Sequence, residues 1–169
     1  LYCSQFSSRE LRIVTASEDF AERLPRLFRR AFNLGFDETP AAGRAGKSRF
    51  SVSDTEKIAS IYRAFGMEPA ETPSLHINLG VLENDCCRAS FVRGAFLAGG
   101  SVTDPAKSFY LELATTLASV SRELSSLLFE LGFEPGQARL GANCLSYLKQ
   151  SATIADFLTA VGAPVAARD

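Results

Sequence analysis

The chain has 169 residues, 46% hydrophobic, 22% charged and 10% aromatic, the profile of a globular protein with enough chain for one sizeable core or two small halves sharing one. Eighteen Lys and Arg against 19 Asp and Glu leave a formal charge of -1, which excludes a basic tail that grips phosphates by bulk charge, so any nucleic-acid contact has to come from local patches. No run approaches the roughly 18 to 20 apolar residues of a membrane-spanning helix, and Phe91 to Leu97 is broken by Arg93.

From the N-terminus, Leu1-Tyr2-Cys3-Ser4 has neither Met nor a signal pattern and reads as a trimmed fragment. Leu11, Ile13 and Thr15 alternate with Glu10, Arg12 and Val14 as a strand. Ser17 then opens a helix carrying Phe20, Ala21, Leu24, Leu27, Phe28 and Ala31 at helical spacing, with Gly35 as its left-handed cap and Pro25 predicting a kink or a later start. A loop over 40–46 leads into a second alternating run, Lys47 to Ser53, read as part of a strand pair with a basic hairpin. Ser53-x-x-Glu56 reads as the capping box of a helix closed by Gly66. Gly43-Arg44-Ala45-Gly46-Lys47-Ser48 is no phosphate-binding P-loop, because only two residues separate its glycines.

Residues 67–84, with Pro69 and Pro73, read as a connecting segment across the surface between halves at 1–66 and 85–169. The second half opens with a helix, Asp85 as cap and Cys86 to Ala98 as body. It continues with Phe109, Leu111 and Leu113 as strand core, a helix from about Ala118 closed by Gly132, a strand near Cys144 to Leu148, and a helix over 152–161 capped by Ser151 and Gly162. The halves repeat. Phe32-Asn33-Leu34-Gly35-Phe36-Asp37 returns as Phe129-Glu130-Leu131-Gly132-Phe133-Glu134, and Ile58 to Gly66 returns as Ile154 to Gly162, at offsets of 97 and 96. Two α+β halves of one pattern predict a pseudo-twofold pair, with the opening helix of the first half missing before Leu1.

Cys3, Cys86, Cys87 and Cys144 are too few for a disulfide scaffold, and the adjacent pair would bridge only under strain, which predicts a reducing, cytoplasmic compartment. The single histidine, His76, has no paired ligand beside it, so neither metal nor cofactor is expected.

In the helix Phe91 to Val102, small residues fall at Gly94 and Ala98 and at Ala95 and Gly99, four apart, the spacing that lets another backbone come close. This segment resembles the LAGLIDADG helix of homing endonucleases, and the string Cys86 to Val102, with Ser108-Phe109-Tyr110-Leu111-Glu112 after it, closely resembles the WhiA family of bacterial DNA-binding regulators. The resemblance implies two αββαββα-type halves whose antiparallel sheets form a saddle facing DNA, and a helix-turn-helix domain beyond this chain. It also implies a nucleoid-associated role in transcription regulation linked to sporulation, cell division and chromosome segregation.

An active nuclease of that type needs acids at the foot of each motif helix, where they hold divalent cations that activate water. The motif's acidic positions fall on Leu97 and Gly99, and Asp104 is assigned to a turn with Pro105, so no catalytic residue is expected. DNA contact is expected instead at Arg12, Arg44, Lys47, Arg49, Lys107 and Arg139. The first 63 residues carry 11 basic against 8 acidic residues. Arg23, Arg26, Arg29 and Arg30 read as the solvent side of a helix, and Arg88 and Arg93 as capping or pairing residues. The alternatives are a metal-dependent homing endonuclease and a protein- or ligand-interaction module without DNA contact.

Overall fold

The computed structural model describes residues 4–41, 46–69, 75–103, 106 and 108–163. The chain forms two compact units, the second beginning at Leu75. Among the described residues no helix is long and apolar enough to cross a membrane.

The first unit runs β1 (Gln5–Phe6), β2 (Leu11–Thr15), α1 (Glu18–Phe32), β3 (Ser48–Val52) and α2 (Thr55–Ala64), with an antiparallel sheet in the order β1-β2-β3. Register pairs Leu11 with Val52 and Ile13 with Phe50. Directly opposed residues share a face, so these four apolar side chains all turn toward the helices. Leu11, Phe28, Val52, Ile58, Ile61 and Tyr62 form the core, and Phe36 stacks on Phe28 at 4.2 Å between centroids.

Several local expectations shift. Ser17 caps α1, its hydroxyl accepting from the Phe20 N–H. The helix then runs unbroken through Pro25, because burial of Leu24 and Phe28 on either side outweighs the ~3 kcal/mol cost of an interior proline. Leu27 and Ala31 lie on its exposed side. The left-handed residue that ends α1 is Asn33, with φ 56°, rather than Gly35. Asparagine tolerates that region, so the helix stops two residues early. The cap of α2 is Asp54, whose Oδ1 accepts from the Glu56 and Lys57 N–H groups, and not Ser53. On the edge of β3 away from β2, the expected hairpin partner is reduced to a single bridge from Glu38 to Ser51 among the described residues.

The Ser53 N–H is used elsewhere. It and the Asp54 N–H donate to Asp37 Oδ2 at 2.8 and 3.0 Å, while the Lys57 ammonium pairs with Oδ1. The Lys57 hydrogen bond, then the Asp54 N–H, hold the Asp37 carboxyl at about 2 against an ordinary 3.8. A depressed folded pKa stabilises above the unfolded value near 4 and is lost as pH falls through about 2. Asp37→Asn is therefore expected to cost on the order of 1 kcal/mol at pH 7, after discount for solvent screening. The gap between the urea midpoints of variant and wild type should close toward pH 2.

Tyr62 is fully buried, and its hydroxyl has no hydrogen-bond partner among the described residues. Burial raises its phenol pKa. An unpaired buried hydroxyl is a net cost. Tyr62→Phe is expected to keep the stack on Phe6, at 4.5 Å, and to raise stability by about 1 kcal/mol in urea unfolding; a loss of that size would mean the hydroxyl is paired.

The second unit runs through a 3-10 turn (Leu79–Val81), α3 (Asp85–Gly99), β4 (Gly100–Val102), β5 (Leu111–Thr115), α4 (Ala118–Glu130), β6 (Gly136–Leu140), β7 (Asn143–Leu148) and α5 (Ser151–Ala160), with sheet order β4-β5-β7-β6. The repeat is visible in the elements: Leu11–Thr15 is matched by Leu111–Thr115, and Thr55–Ala64 by Ser151–Ala160. Caps again move by one residue, to Asn84 for α3, whose Oδ1 accepts from the Cys87 N–H, and to Gln150 for α5, which makes no side-chain cap. Gly132 and Gly162, at φ 90° and 87°, follow the ends of α4 and α5 as expected.

Phe109 lies outside β5 and half exposed, because pairing with β4 begins at Leu111. Part of the connecting stretch is not on the surface. Leu75, Ile77 and Leu82 are buried in the second unit, where Glu123 Oε2 accepts from the Ile77 N–H and Oε1 lies 2.6 Å from His76 Nδ1. That contact accounts for the chain's one histidine.

Candidate nucleic-acid interface

The motif helix is α3. It buries Val92 completely and sends Arg93 to the end of α5, where Nε donates to the Val161 carbonyl. A cation at a helix C-terminus is favourable, and a Cβ on Gly162 would overlap the guanidinium. Arg88 pairs with Asp85 at 3.0 Å and Glu130 at 3.1 Å, so both arginines cap or pair, as their sequence positions predict. The helix passes directly into β4 at Gly100, whose N–H donates to the Phe96 carbonyl. Leu97 is 51% exposed and Gly99 half-buried. An alkyl side chain and a hydrogen stand where an active nuclease would present carboxylates, so these two positions offer a divalent cation no side-chain ligand. Of the small residues, Gly94 and Ala98 are exposed, while Ala95 and Gly99 are half-buried.

Each sheet turns one face to its helices, and the other face carries exposed side chains such as Val14 and Arg49 beside buried ones such as Ser51 and Leu145. On that other face of the first unit β2 sets Arg12 opposite Ser51, and Val14 opposite Arg49, with Lys47 two residues before Arg49 in the same alternation. The three cations differ in freedom. Arg12 Nη2 meets both Glu10 carboxylate oxygens at 2.8 and 2.9 Å, and Nη1 reaches Gln5 Oε1 at 3.3 Å, so its charge is already paired. Lys47 and Arg49 are exposed and have no ion-pair partner among the described residues. Arg44, Lys107 and Asp104 lie outside the described residues.

The second unit presents other chemistry on the matching lattice. Glu112 faces Tyr147 where Arg12 faces Ser51, and Tyr110 stacks on Tyr147 at 5.4 Å with the Lys149 ammonium 5.0 Å from the Tyr147 ring centre. Burial, then Glu112 and Tyr147, raise the Tyr110 phenol pKa above its ordinary value. Arg139 does not join this group. Register sets it opposite Cys144, on the side shared with Gln137, whose amide reaches the α4 hydroxyl of Ser125, so it lies on the helix-covered face. Sequence reasoning missed Tyr147 and Lys149, although both continue the alternation outward from Leu148.

The model of the WhiA LAGLIDADG-like domain matches residues 88–169. A relative named "Probable cell division protein WhiA" in Ruminiclostridium cellulolyticum is 29% identical over 167 residues, 96% of this chain and 53% of that protein. One of the same name in Carboxydothermus hydrogenoformans is 33% identical over 123 residues, 72% of this chain and 40% of that protein. Among solved structures the N-terminal LAGLIDADG domain of DUF199/WhiA aligns with a TM-score of 0.67 at 20% identity, covering 92% of this chain and 72% of that one. The chain is similar to the WhiA family. It spans about half the length of the first of these relatives and less of the second. A variant of the homing endonuclease I-DmoI aligns with a TM-score of 0.60 at 15% identity over 90% of this chain and 79% of that one. The fold is α+β of the LAGLIDADG homing-endonuclease type.

Proposed function

We propose that this chain is a catalytically inactive LAGLIDADG-type module of a WhiA-like transcription regulator, acting in the cytoplasm at the nucleoid. Its two halves, 1–66 and 85–169, are joined by 67–84. The sheet face of the first half away from its helices touches DNA phosphates through Lys47 and Arg49, with Arg12 released from Glu10 when a phosphate competes. Arg44 and Lys107 remain candidate phosphate contacts in this proposal, while Arg139 lies on the other side of its strand from Tyr147. The observation that carries the inactive reading is the pair Leu97 and Gly99 at the acidic positions of the motif helix. A solved I-DmoI structure contains DNA and Mn, so this fold accommodates a duplex; in this chain the contact supplies position rather than cleavage. Process-level roles in cell division and sporulation belong to the same proposal.

The test has two arms. Supercoiled plasmid incubated with the protein and magnesium or manganese is expected to remain uncut, and nicking above a metal-only control would restore the endonuclease reading. In fluorescence anisotropy with a labelled duplex at about 50 and 200 mM salt, Lys47→Ala/Arg49→Ala is expected to reduce the slope of log affinity against log salt by about 2. An unchanged slope would favour the protein-docking alternative. The specific feature behind that alternative is the second unit's sheet face away from its helices, where Glu112 replaces a cation and would repel phosphate.

A further inference from the structure

We propose that the outward face of α1 is a second anion-binding surface, one that takes the sugar-phosphate backbone of nucleic acid. Arg23, Arg26, Arg29 and Arg30 are all exposed. With Leu24 and Phe28 turned into the core, the helical period gathers Arg23, Arg26 and Arg30 on the opposite stripe, about 10 Å long, with Arg29 on its flank. No acidic residue occurs from Arg23 to Phe36. None of the four arginines has an ion-pair partner among the described residues.

The ordinary reason for cations near a helix end is the macrodipole, which acts within the last turn. Arg29 and Arg30 satisfy it, and Arg23 and Arg26 lie farther in. The repeat supplies a control. Leu124 and Leu128 of α4 are buried as Leu24 and Phe28 are, and with the helices aligned on that burial, in the register that sets Leu11–Thr15 on Leu111–Thr115 rather than the offset of 97 read from sequence, α4 carries Glu123, Ser126, Phe129 and Glu130 where α1 carries the four arginines. Its last turn has no basic residue. This fold thus builds the helix without them.

Four unpaired guanidinium groups this close repel one another, and a polyanion relieves that repulsion. Guanidinium meets phosphate in a fixed two-pronged geometry that an ammonium lacks. A row of cations along a rigid helix fits a row of charges, and a nucleic-acid strand presents one continuously. Because α1 packs on the covered side of the first unit's sheet, this surface and the Lys47/Arg49 face contribute separately, and each has its own test.

A labelled duplex of arbitrary sequence is titrated with wild type, with Arg23→Gln/Arg26→Gln/Arg30→Gln, with the same triple to lysine, and with Lys47→Gln/Arg49→Gln, at about 50 and 200 mM salt. The glutamine triple is expected to weaken binding at the lower salt by about 10-fold or more. Between the two salts its affinity should fall about 40-fold less than that of wild type, the result of three lost phosphate contacts. The lysine triple, keeping its charge, should recover most of the binding, which separates loss of contact from loss of fold. Glutamine-triple affinity within about twofold of wild type at both salts overturns the proposal, whatever the sheet variant does. Loss in the glutamine triple with an unchanged sheet variant upholds it while the sheet reading fails. Polyglutamate is titrated beside the duplex, and loss of its binding in the glutamine triple with duplex binding intact marks a protein-directed face and overturns the proposal, as does a wild type that binds no duplex at the lower salt.

Discussion

Phe157→Ala is expected to cost about 3 to 5 kcal/mol and to lower the melting temperature by about 10 °C or more. Phe157 is completely buried on α5 and meets Phe96 of α3 and Phe133, after α4, both edge-on with centroids 5.7 Å apart. Removing the ring deletes its transfer free energy and leaves a cavity that two aromatic neighbours on separate elements cannot close together. Thermal melts followed by circular dichroism check this. A drop of less than a few degrees would mean that α5 collapses onto α3, and Phe157→Leu should then be indistinguishable from wild type.

The second large effect is expected from the smallest change. Gly100→Ala should cost at least 2 to 3 kcal/mol, because the added carbon overlaps both the Phe96 ring and the Phe96 backbone carbonyl to which Gly100 itself is bonded. A ring can swing away, but the carbonyl ends the motif helix and cannot move without unwinding it. Gly94→Ala is the contrast. Nothing described lies within 4 Å of its new carbon, so alanine in that helix interior is expected to add about 1 kcal/mol. Chemical denaturation of both variants decides the matter, and a loss at Gly94 would mean that a second backbone comes close there, as the small-residue spacing predicts.

The elements that carry strong periodicity were readable from sequence, since Leu11, Ile13, Phe50 and Val52 alternate and Leu24 and Phe28 recur at helical spacing. What could not be read depended on pairing between distant residues. Strand β6 is Gly-Gln-Ala-Arg-Leu, with no alternating branched side chains to announce it; its ladder with β7 and the left-handed Gly141 make it a strand. Without that ladder Arg139 had no assigned face, and its register with Cys144 sets it on the side of Gln137 rather than that of Tyr147. At α2, Ser53 and Asp54 are both competent caps, and it is Asp54 Oδ1 that accepts from the Glu56 and Lys57 N–H groups, while Asp37 accepts from the N–H groups of both candidates. At the interface, alternation alone predicted the shared face of Arg12, Lys47 and Arg49. Arg12 is neutralised by Glu10, two residues before it, and Gln5 on the neighbouring strand only accepts a further hydrogen bond from it.

The bond from Arg93 to the end of α5 also limits how this domain can be recombined. The motif helix and the last helix are far apart in sequence, yet one supplies the cap and the other the bare carbon that admits it. A hybrid that takes α5 from a relative inherits a working joint only if a glycine arrives at position 162 together with an arginine kept at 93. Exchange of either segment alone should behave as a mismatched part, and exchange of both as a matched one, so these two positions mark segments that must travel as a pair.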